Sequence, residues 1–423
     1  MADARIPTLG PQAAQRAAVE GNLLAPEVLE NPHPFYARLR ETAPVYPVPG
    51  TSVHLVTSRP LIEEALEREE DFSANLTGVL MTGADGRPAV FDLASLGGTV
   101  DAIANADEPS HAVHRKLVLP QVTPKIIAGL EPTLREWAQE LMQPLLQAGR
   151  GDWIHRVANP LPTRAMAYVV GLPLEDVDRL LRWAMLGTQI LAGTTTSERM
   201  GEVAAKTGQM AVYLAQHMER ALAAAAGETA PGVIGELVTG VREGLIAEKT
   251  AVSILVVLVG AGGESTSSLT GSSVRILAEQ PTLQDQLRRD PSLIPAFVEE
   301  AVRLEPSFLG HYRAVKRATR LGGVDLPEGS HIMLMWAAAN RDPEQFERPD
   351  AVDLQRPNGR DHLSFGRGTH FCVGARLARL EVRVILEELL GASRSFELDP
   401  ERPPEYVKSI FVRRHAQLGL LLH

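Results

Sequence analysis

Apolar residues recur at helical spacing over much of the chain. Leu134–Leu146, Pro160–Val170, Glu175–Leu191 and Ser197–Ala225 carry them on one face, the period expected of amphipathic helices. Gly171-Leu172-Pro173 and Gly193 punctuate the series. From about Glu248 to Glu279 the pattern changes. Ile254–Val259 is apolar on nearly all sides, as in a helix that runs through a core. Gly260-Ala261-Gly262-Gly263-Glu264-Ser265-Thr266 then interrupts it. Each interior glycine costs about 1 kcal/mol relative to alanine, and a buried carboxylate is expensive unless partnered. Around Pro49-Gly50 the segments Val45–Pro49 and Val53–Thr57 read as a two-stranded hairpin between helices at Phe35–Leu39 and Leu61–Leu66. Phe72 to Ala106 is glycine-bearing and weakly periodic; it reads as a long loop, either functional or plain surface. A helix opens after Asp107-Glu108-Pro109, and Pro120 should kink or end it early. Gly322–Gly329 and Ile332–Trp336 read as short strands and turns.

Composition narrows the picture without naming a chemistry. The chain has 423 residues, 44% of them hydrophobic, and can bury a large core. There is no repeat or low-complexity tract, and no uninterrupted apolar run of about 18 residues. Residues 1–30 read as a polar arm and 31–423 as one large domain. A formal charge of −10 argues against nucleic acid as a partner. One cysteine allows no internal disulfide and fits a cytoplasmic protein. The N-terminus lacks the layout of a signal peptide.

That cysteine, Cys372, lies in His362-Leu-Ser-Phe365-Gly366-Arg-Gly368-Thr-His370-Phe-Cys372-Val-Gly374-Ala-Arg376, just ahead of a helical pattern from Ala375. Free N–H groups and the dipole at a helix start favour an anion there, including a thiolate. A lone cysteine is otherwise most often a small buried apolar residue. The spacing Phe365-Gly366-x-Gly368-x-His370-x-Cys372-x-Gly374 resembles the haem-binding signature of the cytochrome P-450 family. Ala261-Gly262-Gly263-Glu264-Ser265 resembles the family's Ala/Gly-Gly-x-Asp/Glu-Thr motif, with Ser265 in the threonine position and Thr266 next. Glu300-x-x-Arg303 resembles its Glu-x-x-Arg motif, with Arg356 offered as the interlocking arginine. The likeness runs from about Asn31 to the C-terminus.

The resemblance implies a mainly α fold, a large helical body with small antiparallel sheets. It implies haem b (iron protoporphyrin IX) with Cys372 as the axial thiolate, cradled by Phe365, Gly366, His370 and Gly374 and crossed by Ala261 of the long helix. It places His111, Arg115, Arg313 and His370 on the haem propionates. Glu264 and Ser265, with Thr266 as a substitute hydroxyl, would handle protons for dioxygen. The segment from Phe72 to Ala106 would lie over the substrate, with Phe308, Leu309 and Ser409–Phe411 also at the cavity. The activity implied is monooxygenation of an apolar small molecule, with electrons from a ferredoxin-type donor and its reductase. That donor would dock on Arg115, Lys116, Arg367, Arg376 and Arg379. A haem-thiolate lyase or isomerase, a peroxide-driven enzyme and a non-catalytic haem ligand-binding protein are the alternatives. No membrane anchor is expected.

Overall fold

The computed structural model describes residues 22–96, 101–224 and 230–423. Residues 1–21 of the expected arm and the expected helix end at Ala225 lie outside them. Residues 22–30 are packed down: Leu23, Val28 and Leu29 are buried, and Arg413 Nη1 donates to the Glu30 carbonyl at 2.8 Å.

Everything is arranged about one helix, Glu248–Ala278. Its first half, through Ile254, Leu255 and Val259, packs into a cluster with Met166, Leu180, Trp183 and Leu214. Those residues come from helices Pro160–Val170, Val177–Gly187 and Ser197–Ala223. Its second half, from Leu269 to Ala278, packs into another cluster with Leu134, Trp153, Phe297 and Ile385. Residues 260–268 fall between the two, where the glycines sit. Two of those glycines are explained by helix packing, the plainer of the two accounts this segment allows. A Cβ on Gly262 would stand 2.7 Å from Met166 Cγ, and one on Gly263 would stand 3.1 Å from Thr163 Oγ1. Glycine there lets helix Pro160–Val170 approach closely. Among the described residues this is the one helix long and apolar enough to cross a membrane, with mean hydropathy 1.4, and half of its most apolar window is buried.

The expected helices form, with adjusted ends. Pro160–Val170 spans the predicted residues. The stretch read as Glu175–Leu191 is helix Val177–Gly187 flanked by single 3₁₀ turns. Helix Ser110–Val118 stops ahead of Pro120, which sits in a 3₁₀ turn. The principal sheet orders Val45–Pro47, Val53–Val56, His331–Leu334, His311–Val315 and Phe72–Ser73. One of its pairings is parallel: His331 lies opposite Val53 and Leu334 opposite Val56. The helical body serves as the long crossover that parallel strands require. The segment from Phe72 to Ala106 is not a plain loop. It contains a hairpin pairing Gly78–Thr82 with Pro88–Asp92, turned at Asp85-Gly86, a strong hairpin signal that the glycine count obscured. Likewise Trp336–Ala339 is a short helix, not the end of a strand.

Candidate functional site

The cysteine loop is built on two glycines in the left-handed region, Gly366 (φ 69°) and Gly368 (φ 67°). The Cys372 N–H donates to the Phe365 carbonyl at 2.8 Å, which closes the loop on itself. Helix Ala375–Ala392 starts three residues on. Val373 packs against one core cluster and Phe365 against the other, so the loop spans the changeover in the long helix. Cys372 is accessible, yet protein crowds it closely enough for burial to push its thiol upward. Both are true of a group that lines an internal cavity. The Gly374 and Ala375 N–H groups and the charges of Arg115 and Arg379 oppose that push.

Four residues expected at the cavity rim come together. The rings of His111 and His370 are 4.2 Å apart, and His111 Nδ1 lies 2.9 Å from Glu108 Oε1. His370 is held neutral, near 3, by burial and then by the Arg313 and His111 charges; its Nδ1 is buried without a partner among the described residues. Arg115 Nη1 donates to the Phe371 carbonyl at 2.8 Å. Arg313 is 8% exposed and its Nη1 donates to the Tyr312 carbonyl. Among the described residues no carboxylate pairs with it, and burial lowers it to about 10. A buried guanidinium without a counter-ion is costly, and an acidic ligand group would satisfy it. Cavity-facing sulfur, unpartnered His370 and unpaired Arg313 together fit a haem with two carboxylate arms.

On the long helix Ala261 is exposed and Ser265 half-buried, one helical turn apart. Ser265 Oγ donates to the Ala261 carbonyl at 2.7 Å, and the Ser265 carbonyl accepts from Ser307 Oγ at 2.6 Å. Thr266 is buried. Glu264 does not share this face. It is fully buried, and its Oε1 accepts from Arg414 Nε at 2.8 Å. It lines a separate chamber of about 370 Å³ with Thr188, Thr195 and Ser409. Burial raises its carboxyl and the Arg414 charge opposes this; Oε2 has no partner. Nothing in the sequence spacing pointed to Arg414.

The expected basic patch is thinner than the sequence suggests. Arg367 pairs with Glu63 at 2.7 Å. Arg379 pairs with Glu299 at 2.7 Å and lies 4.3 Å over the Phe365 ring. Lys116 and Arg376 remain exposed. The sequence reading also missed two groups. His311 lies on the strand two residues before Arg313, so both project from one face; that alternation was the available signal. Glu305, 5% exposed, gathers Arg275, Arg413 and Arg341 at 3.2, 3.2 and 3.7 Å.

A helical body with one accessible cysteine on a glycine turn, and a buried arginine near it that lacks a carboxylate partner among the described residues, fits a haem-thiolate protein. The sequence profile described as Cytochrome P450 matches residues 242–418. "Cytochrome P450 144" of Mycobacterium tuberculosis is 40% identical over 394 residues, covering 93% of this chain and 89% of that one. The "Erythromycin C-12 hydroxylase" of Saccharopolyspora erythraea is 32% identical, covering 75% and 80%. The solved structure of "cytochrome P450 CREJ in complex with (4-ethylphenyl) dihydrogen phosphate" superposes with a TM-score of 0.84 at 26% identity, covering 93% and 98%. The chain belongs to the cytochrome P450 family: it is a haem-thiolate oxidoreductase of the monooxygenase class.

Proposed function

We propose that this protein inserts one oxygen atom into an apolar small molecule, with electrons from a separate ferredoxin-type protein and its reductase. The observation that carries the reading is the accessible Cys372 in its glycine loop, close to a buried Arg313 without a carboxylate partner among the described residues. Cys372 would hold the iron of haem b within the loop formed by Phe365, Gly366 and Gly374. Arg313, His370, His111 and Arg115 would hold its carboxylates. When bound, the haem supplies reductive activation of dioxygen and transfer of one oxygen atom to substrate.

The chain's own residues bind, dry and supply protons. Phe308, Leu309, Phe411 and the hairpin residues Val79 and Leu80 belong to one apolar cluster, a lining that excludes water and suits an apolar substrate. The Ser265 hydroxyl, parked on the Ala261 carbonyl, needs one rotamer change to donate into the cavity. Burial raises Glu264 above the ordinary carboxylate value, in the direction that suits a carboxyl able to pass on a proton. Its chamber of hydroxyls would resupply it, with Arg414 holding the carboxylate until it turns. An acidic donor would dock on the face of Lys116 and Arg376, beside the exposed Leu119. The named relative acts at a carbon of erythromycin, which accords with hydroxylation but does not transfer its substrate. Residues 31–423 would act as one domain in the cytoplasm.

Carbon monoxide added to the reduced protein should give the red-shifted Soret band of a thiolate ligand, lost in Cys372→Ala. Substrate-dependent oxygen uptake with a ferredoxin and reductase separates a monooxygenase from a lyase, a peroxide-driven enzyme and a silent haem protein.

A further inference from the structure

His311 is a histidine at this site whose tautomer the structure fixes. Trp336 Nε1 lies 2.7 Å from His311 Nδ1. An indole nitrogen only donates, so Nδ1 accepts and carries no proton. Burial, followed by the Arg313 charge, pushes the ring down to about 3, so it is neutral. The proton therefore sits on Nε2. No described residue accepts from Nε2, and the ring is half-buried although protein surrounds it closely. Like Cys372, it faces an internal space. Around it the wall is aromatic. Phe308 and Phe411 each meet the ring edge-on at 5.4 Å, and they lie 4.8 Å from each other at 31°.

A desolvated N–H in an aromatic wall discriminates sharply, because a ligand without an acceptor leaves it unpaired. We propose that His311 is a specificity residue: its Nε2–H donates to an oxygen acceptor, a carbonyl or ether, on a flat apolar substrate resting against Phe308 and Phe411. This rests on the monooxygenase reading, which the carbon monoxide spectrum of the same preparation checks separately. Arg313 lies on the same strand face, so a haem carboxylate is the competing acceptor, and the experiment tells the two apart.

The probes are 2-acetylnaphthalene and 2-isopropenylnaphthalene, equal in shape but differing in the carbonyl oxygen, with Kd measured by equilibrium dialysis on holoprotein. Wild type should prefer the ketone by about fivefold, the effect of one ordinary hydrogen bond. His311→Phe should abolish that preference by weakening the ketone alone. Because phenylalanine also strips Trp336 of its acceptor, His311→Asn repeats the test with a short side chain that can still accept from Trp336 but cannot reach as far. Haem transfer to apomyoglobin should keep its rate in both variants. No ketone preference in wild type, including no binding of either probe, overturns the proposal. So does equal weakening of both probes. Faster haem loss without a change in preference assigns the donor to a haem carboxylate and overturns it too.

Discussion

Ser265 and Glu264 are neighbours in sequence but face different spaces, since successive helical residues are about 100° apart. Ser265 is bonded to Ala261 on an accessible helix face, whereas Glu264 is tied to Arg414. The hydroxyl should therefore govern how oxygen is used, not whether substrate binds. Ser265→Ala should leave a ligand's spectral shift unchanged while product formed per NADH consumed falls severalfold. Ser265→Thr should match or exceed wild type, because the added methyl restricts χ1. Thr266 is buried, so Thr266→Ala should leave the ratio near wild type. Equal coupling in Ser265→Ala and wild type would remove the hydroxyl from the proton path. Arg313 belongs to the same scale. Its guanidinium has no counter-ion among the described residues, and a charge-assisted hydrogen bond contributes about 1.5–3 kcal/mol. Arg313→Gln should thus speed haem loss to apomyoglobin by roughly tenfold or more, with little effect on ligand preference. Unchanged haem loss would place the haem carboxylates elsewhere.

At the scale of elements, the interlock expected from Glu300-x-x-Arg303 forms in full. Glu300 Oε1 accepts from Arg303 Nε at 2.7 Å and from Arg356 Nε at 2.9 Å, and Oε2 accepts from Arg303 Nη2 at 2.9 Å and the Asp353 N–H at 2.8 Å. Glu300 and Arg303 are 1% and 0% exposed. Glu300→Ala would leave two guanidiniums uncompensated, a loss of about 3–5 kcal/mol, read as a lowered urea midpoint. A change below about 1 kcal/mol would mean the cluster is solvated. The Glu300–Arg303 pair was legible from its i, i+3 spacing, whereas Arg356, 56 residues on, came from the family resemblance. The cysteine loop and the main helices were legible because glycine spacing and helical period are local. Three features were not. The Asp85-Gly86 hairpin was hidden by the surrounding glycines. The parallel pairing of Val53 with His331 depends on an adjacency that only the finished body creates. Arg414 reaches Glu264 across 150 residues of sequence. The basic docking face was overread, because sequence counts charges and cannot see that Glu63 and Glu299 already hold Arg367 and Arg379.

Over the whole molecule, the buried ionisable groups set how folding depends on pH. His415 is fully buried, stacked 4.2 Å from the Tyr406 ring, with both ring nitrogens unpartnered among the described residues. Burial, then the charge of Arg275, lowers it to about 3; Glu305 pulls the other way, and Arg413 and Arg414 add to the lowering. The folded state therefore refuses a proton that the unfolded chain accepts below the ordinary histidine value of 6.5. The stability contributed by a neutral His415 is whole above pH 6.5 and drains away as pH falls toward 3. At pH 5 the loss is about 2 kcal/mol, at 1.36 kcal/mol per unit. Glu299 adds a later step: burial alone would raise it, but His362 and Arg379 hold it at about 2. Its contribution is present above the ordinary value of 4.5 and goes as pH falls toward 2. Urea unfolding of the holoprotein at pH 7.5 and pH 5.0 separates the two. Wild type should lose about 2 kcal/mol more than His415→Phe between those pH values, whatever the variant's stability at pH 7.5. Equal losses in the two proteins would mean that His415 takes up its proton in the folded state without penalty, and that the Glu305 cluster is open to water.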